Sequence, residues 1–161
     1  VRQLVLLGAL VLAMESARAQ ADCSVAVTGT LNFGIYAYFT PLDGATTLTV
    51  DCRRINQAPN RTVSYTIKLT SGPGSYLNRL MTHATQPGET LGYNLYRDAA
   101  RALVWGDGTA GTVTVTGQFV HPPARQQTVP PITIYGRVPA NQNVVAGAYQ
   151  TTAPITVIVE Y

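Results

Sequence analysis

Apolar and polar residues alternate along most of the chain from Cys23 onward. Cys23, Val25 and Val27 alternate with Ser24, Ala26 and Thr28, and Leu31 and Phe33 continue the run across Gly29-Thr30. Leu48, Val50 and Cys52 alternate with Thr47, Thr49 and Asp51. Val63, Tyr65, Ile67 and Leu69 follow, then Leu91, Tyr93 and Leu95, then Val113 and Val115 among threonines. Ile132, Ile134 and Val138 share a parity. Ile155, Val157, Val159 and Tyr161 close the sequence, alternating with Thr156, Ile158 and Glu160. A period of two is the signature of a strand with one buried face. Asp43-Gly44, Ser71-Gly72-Pro73-Gly74 and Gly106-Asp107-Gly108 read as turns between runs. The prolines are expected mainly in connections such as Pro122-Pro123 and Pro130-Pro131. No helical period follows Cys23. Roughly seven short strands separated by turns predict an all-β, immunoglobulin-like antiparallel sandwich.

The first residues break this pattern. Leu4 to Met14 is an apolar run of 11 residues, preceded by Arg2 and followed by Ala17-Arg18-Ala19. A membrane-spanning helix needs ~20 residues, whereas a short apolar run before an A-x-A site reads as a signal peptide. Residues 1–19 are therefore expected to be a leader, cut after Ala19 or Ala21, and residues 20–161 a single exported domain. The product is not expected to span a membrane.

Export changes the reading of charge and cysteine. Without its leader the chain keeps nine cations against seven acids, and only Arg53-Arg54 places two cations side by side. Nucleic-acid binding needs a clustered basic face, and none is legible. Cys23 and Cys52 are the only cysteines. In an exported protein they are expected to form a disulfide. Closing that loop contributes about 3–4 kcal/mol in the chain-entropy model.

The last strand carries functional weight. It runs to Tyr161 with no turn or further strand after it. If Ile155–Tyr161 is the sixth strand, F, of an immunoglobulin-like sandwich, the seventh, G, is missing. An open edge and an apolar groove would result. Such an edge is a liability that proteins cover, and a strand supplied by a partner is one way to cover it.

Several blocks resemble the spore coat protein U domain family. They are Leu31-Asn32-Phe33-Gly34-Ile35-Tyr36, Arg79-Leu80-Met81, Leu91-Gly92-Tyr93-Asn94-Leu95-Tyr96-Arg97-Asp98, Val104-Trp105-Gly106-Asp107-Gly108, Tyr135-Gly136-Arg137-Val138-Pro139-Ala140 and Ala146-Gly147-Ala148-Tyr149. The family includes pilins of archaic, Csu-type chaperone–usher pili and a myxobacterial spore coat protein. The resemblance implies an incomplete sandwich lacking strand G. It also implies a periplasmic pilus chaperone, an outer-membrane usher and neighbouring pilin subunits as partners, with passage through the periplasm to a cell-surface fibre or coat. Adhesion and biofilm formation are the associated roles. Polymerising members carry a donor arm ahead of the first strand. Here only Gln20-Ala21-Asp22 precede Cys23 after cleavage, a reach of ~10 Å. The expectation is a subunit that accepts a strand without giving one, at a tip or terminating position.

The residues expected to flank the missing strand are Val25, Val27, Leu31 and Phe33 on the first strand and Ile155, Val157, Val159 and Tyr161 on the last. Each is equally a core residue, and in this fold the two readings coincide. Tyr36, Tyr38, Phe39, Tyr76 and Trp105 are candidate surface-contact aromatics, weighed against a core role that is favoured for Trp105. An alternative function is a self-contained carbohydrate-binding or ligand-binding sandwich using these aromatics. Enzymatic activity is not expected. His83 and His121 are the only histidines and read as loop or edge residues. No nucleophile–base motif is present, acids are dispersed, and one carboxylate at Asp107 is too few for calcium. No catalytic, metal or cofactor site is expected.

Overall fold

A computed structural model describes residues 21–54, 61–121 and 126–161. The leader and Pro122-Pro123 lie outside these residues. Nine strands are formed among them: β1 (Ala21–Thr28), β2 (Leu42–Arg54), β3 (Arg61–Leu69), β4 (Arg79–His83), β5 (Thr90–Tyr96), β6 (Val115–His121), β7 (Gln126–Val138), β8 (Tyr149–Gln150) and β9 (Val157–Glu160). One sheet has the order β1-β2-β7-β5-β4-β8 and the other β6-β3-β9. All strand pairings are antiparallel. The fold is the expected all-β, immunoglobulin-like sandwich, with more strands than the period-two runs delimit, β2 and β7 longer than their runs and β1 and β9 shorter.

The core follows from that alternation. Leu48, Val50 and Cys52 on β2, Ile67 and Leu69 on β3, and Val129, Ile132, Ile134 and Val138 on β7 are buried between the sheets. Cys23 lies opposite Cys52 in the β1–β2 register, and the two are joined in a disulfide. The bridge ties the outermost strand of the large sheet to its neighbour.

Three expectations about turns and strand limits need correction. Asp43-Gly44 is not a turn but lies within β2, where Gly44 pairs with Gly136 of β7. A Cβ on Gly136 would come within 2.7 Å of the Phe33 ring and 2.8 Å of Leu31. The two bare backbones leave room for those side chains, and that packing overrides the local turn signal. Pro130-Pro131 is likewise inside β7. The β2–β7 register shifts there, from Leu48↔Ile132 to Val50↔Val129. One residue of β2 faces two of β7, a bulge that tolerates prolines lacking an N–H. Finally, β1 ends at Thr28, so Leu31 and Phe33 belong to the loop after it, and β9 begins two residues after Ile155 and ends before Tyr161.

Candidate functional site

A groove of about 1210 Å³ opens between the sheets on the side of β1 and β9. Its floor is apolar and comes from core strands: Leu69 of β3, Met81 of β4, Leu91 and Leu95 of β5, Ile134 and Val138 of β7. One wall is Val27 with the loop bearing Leu31 and Phe33, and the other is Ile155 and Val157. Phe33 meets the Tyr93 ring at a centroid distance of 5.8 Å.

The edge of the groove is set by β9. Among the described residues β9 pairs only with β3. Thr70 N–H donates to Thr156 C=O at 3.0 Å, one step beyond the Leu69↔Val157 pair. Bonded pairs in an antiparallel ladder recur at every second residue. The backbone groups of Ile158 and Glu160 therefore face β3, while those of Val157 and Val159 face the open side. The Val157 and Val159 side chains are half-buried against the core.

A strap lines the far end of the groove and is fixed by polar contacts. Gln142 acts as a side-chain substitute for a strand: its Oε1 accepts from Gly92 N–H at 2.8 Å and its Nε2 donates to Gly92 C=O at 2.8 Å. The Gln142 N–H donates to Tyr36 Oη at 2.7 Å, and Asn141 N–H to Tyr38 C=O at 2.6 Å. His83, expected in a loop or at an edge, is buried at the end of β4, between β5 and β8. Its Nδ1 accepts from the Thr85 and Gln86 amides at 3.2 and 3.1 Å, which leaves Nε2–H to donate to Ala146 C=O at 3.3 Å. Gly147 is packed so closely on His83 that a Cβ there would lie 1.9 Å from Nε2. The His121 side chain lies outside the described residues.

Beside the groove, Arg79 binds three of the sequence blocks together. It is fully buried, and its guanidinium donates to Trp105 C=O at 2.8 Å, Thr70 C=O at 3.1 Å, Tyr76 C=O at 3.3 Å and Asn94 Oδ1. It also lies 5.8 Å from the Tyr76 ring centroid. No described carboxylate pairs with it. Burial lowers the Arg79 pKa from its ordinary value. Burial also raises that of Tyr93, against the pull of the Arg79 charge.

The expected groove residues divide. Val27, Leu31, Phe33, Ile155 and Val157 line the groove. Val25, 38% exposed, does not, and Val159 packs on the core. Tyr161 lies beyond β9, where its hydroxyl accepts from Cys23 N–H at 3.4 Å. The aromatic candidates also divide. Tyr36 and Tyr38 line the groove, Phe39 is exposed, and Tyr76 is half-buried. Trp105 is not a surface aromatic: it is fully buried and its Nε1–H donates to Ile67 C=O at 3.2 Å. Residue-by-residue reading missed the floor, Gln142 and the role of Arg79. The floor residues carry only the ordinary core signal, and strand order alone tells which of them face the opening. Asp107 accepts from Thr109 N–H and Oγ1 within its turn. Among the described residues no three His, Cys, Asp or Glu side chains gather as a metal site, and no helix is long and apolar enough to cross a membrane.

The comparisons with known proteins agree with this architecture. The family profile of the Spore Coat Protein U domain matches residues 9–156. Protein U of Myxococcus xanthus is 32% identical over 147 residues, an alignment covering 80% of this chain and 71% of that protein. The family is one of structural, pilin-like proteins rather than enzymes, and its members are exported components of surfaces and coats. The chain belongs to the Spore Coat Protein U domain family and is, in general terms, a structural subunit of a surface fibre or coat.

Proposed function

We propose that this subunit is assembled by accepting a β-strand from a partner into the groove between β1 and β9. The observation that carries the reading is the open side of β9, where the Val157 and Val159 backbones face away from β3 beside an apolar floor. An incoming strand would pair with that edge and place alternate side chains on Leu69, Met81, Leu91 and Leu95. Burying each large apolar side chain contributes roughly 1.5–3 kcal/mol, so three inward residues compete well with the exposed state. The donor in transit is a periplasmic chaperone, acting with an outer-membrane usher, and the final donor is a neighbouring subunit.

Co-expression of the exported chain with and without its chaperone tests this. The expected result is a soluble one-to-one complex with the chaperone and aggregation or proteolysis without it. An apolar-alternating donor peptide should then displace the chaperone. A stable monomer whose Val157 and Val159 amides are protected from hydrogen exchange without any partner would overturn the proposal.

A further inference from the structure

A second cavity, of about 340 Å³, lies between β6 and the bulged part of β7, and shares no lining residue with the groove. An occupant of the groove therefore takes up none of its walls. Tyr65, Tyr135 and Arg97 stand in its walls with Pro130, Pro131 and Thr133, among others.

Local packing fixes these walls. Tyr65 pairs with Gly117 across β3 and β6, and a Cβ on Gly117 would lie 2.3 Å from Tyr65 Oη. The phenol thus rests directly on bare backbone. The Arg101 guanidinium lies 5.8 Å from the centroid of the Tyr135 ring. Arg97 is exposed and has no described ion-pair partner. The neighbouring acids are engaged elsewhere. Asp98 accepts from the amides of Ala102 and Leu103, and Asp43 pairs with Arg137 at 2.7 Å and Arg101 at 3.1 Å. Of the Tyr-Asn-Leu-Tyr-Arg block, Tyr93, Asn94 and Leu95 are buried and Tyr96 is half-buried, which leaves Arg97 as its one exposed member.

We propose that this cavity binds an acidic pyranose, a hexuronic acid residue of an extracellular polysaccharide. Arg97 offers its planar fork to the carboxylate. The tyrosine and proline rings flank the C–H faces of the sugar, and Thr133 offers a hydroxyl to its ring substituents. The volume falls in the range of small-ligand pockets. One exposed ion pair binds weakly, but an acidic polysaccharide repeats the uronate along its own chain, and that repetition favours rebinding at the site.

Amide chemical-shift titration of the isotope-labelled domain, purified with its groove filled by a donor peptide, or alone if it proves a self-sufficient monomer, tests this. The probes are methyl glucuronide, methyl glucoside and acetate. Saturable shifts at Arg97, Thr133 and Tyr135 are expected with the glucuronide, with about tenfold weaker binding of the other two. Arg97→Gln, at an exposed position, should fold normally and reduce the glucuronide to the level of the glucoside. A polyuronate should bind tighter than the monosaccharide to the assembled protein. Equal response to acetate would reduce the cavity to a bare anion site and overturn the proposal. So would equal response to the glucoside, shifts confined to other regions, or indifference to Arg97→Gln.

Discussion

Replacing Arg79 by Met sets two large effects against each other. Met has similar length and no donor. In Arg79→Met the carbonyls of Thr70 and Trp105 lose donors at 3.1 and 2.8 Å inside the protein. Tyr76 C=O keeps Asn94 Nδ2 at 3.1 Å, and Asn94 Oδ1 keeps the Leu95 amide at 2.9 Å. Two orphaned carbonyls cost about 2–6 kcal/mol together. Against this, the substitution removes a buried charge that no described carboxylate balances, and such a change is sometimes stabilising by about 1–4 kcal/mol. The guanidinium here is already solvated by three carbonyls, the Asn94 amide oxygen and the Tyr76 ring, so most of its lost hydration has been replaced. The carbonyl loss should win, with net destabilisation of roughly 2–4 kcal/mol. For a domain of this size that lowers Tm by roughly 5–15 °C. Urea unfolding read by fluorescence gives the number, because Trp105 is the only tryptophan and its carbonyl is one of the groups released. An unchanged or higher urea midpoint would show that the uncompensated charge, not the carbonyls, dominates at Arg79.

Gly136→Ala should push Leu31 and Phe33 out of their seat at a cost of about 1–3 kcal/mol; donor-peptide binding should weaken, and unaltered binding would remove those side chains from the groove wall. Reducing the Cys23–Cys52 bridge, or replacing both cysteines by Ser, should lower stability by about 3–4 kcal/mol, measured as the urea midpoint with and without reductant. Hydrogen bonding to Arg137 holds the Asp43 carboxyl below its ordinary pKa, so its contribution is present above the unfolded-state value and is lost as pH falls through the folded one. At this surface position the effect is at most ~1 kcal/mol, and Asp43→Asn should remove that part of the acid-side slope in a pH series of unfolding midpoints.

Much of the sandwich was legible because its strands have one wet face. Leu48, Val50 and Cys52 bury one parity against the core. Where both faces are covered the rule gives out: in β5 Gly92 and Asn94 are buried together with Leu91, Tyr93 and Leu95. The Asp43-Gly44 dipeptide misleads because a glycine serves two purposes, turning a chain or letting another pass close. Only the register opposite Gly136 distinguishes them. The walls of the groove were readable from the terminal runs, since they belong to alternating segments. Its strap was not, because Gln142 holds Gly92 through a single amide at a separation of 50 residues, and no periodicity marks such a contact.

The outward-facing backbone of Val157 and Val159 also makes abundance a hazard. Two copies of the same edge can pair with each other, and the rate of that encounter rises with the square of their concentration. Capture by a partner rises only in proportion to the partner present. Doubling synthesis alone therefore quadruples the unwanted encounters but only doubles the productive ones. If β9 takes its missing neighbour from a partner, as proposed, a cell making this subunit gains from matching the supply of donor strands to the supply of edges, chain for chain.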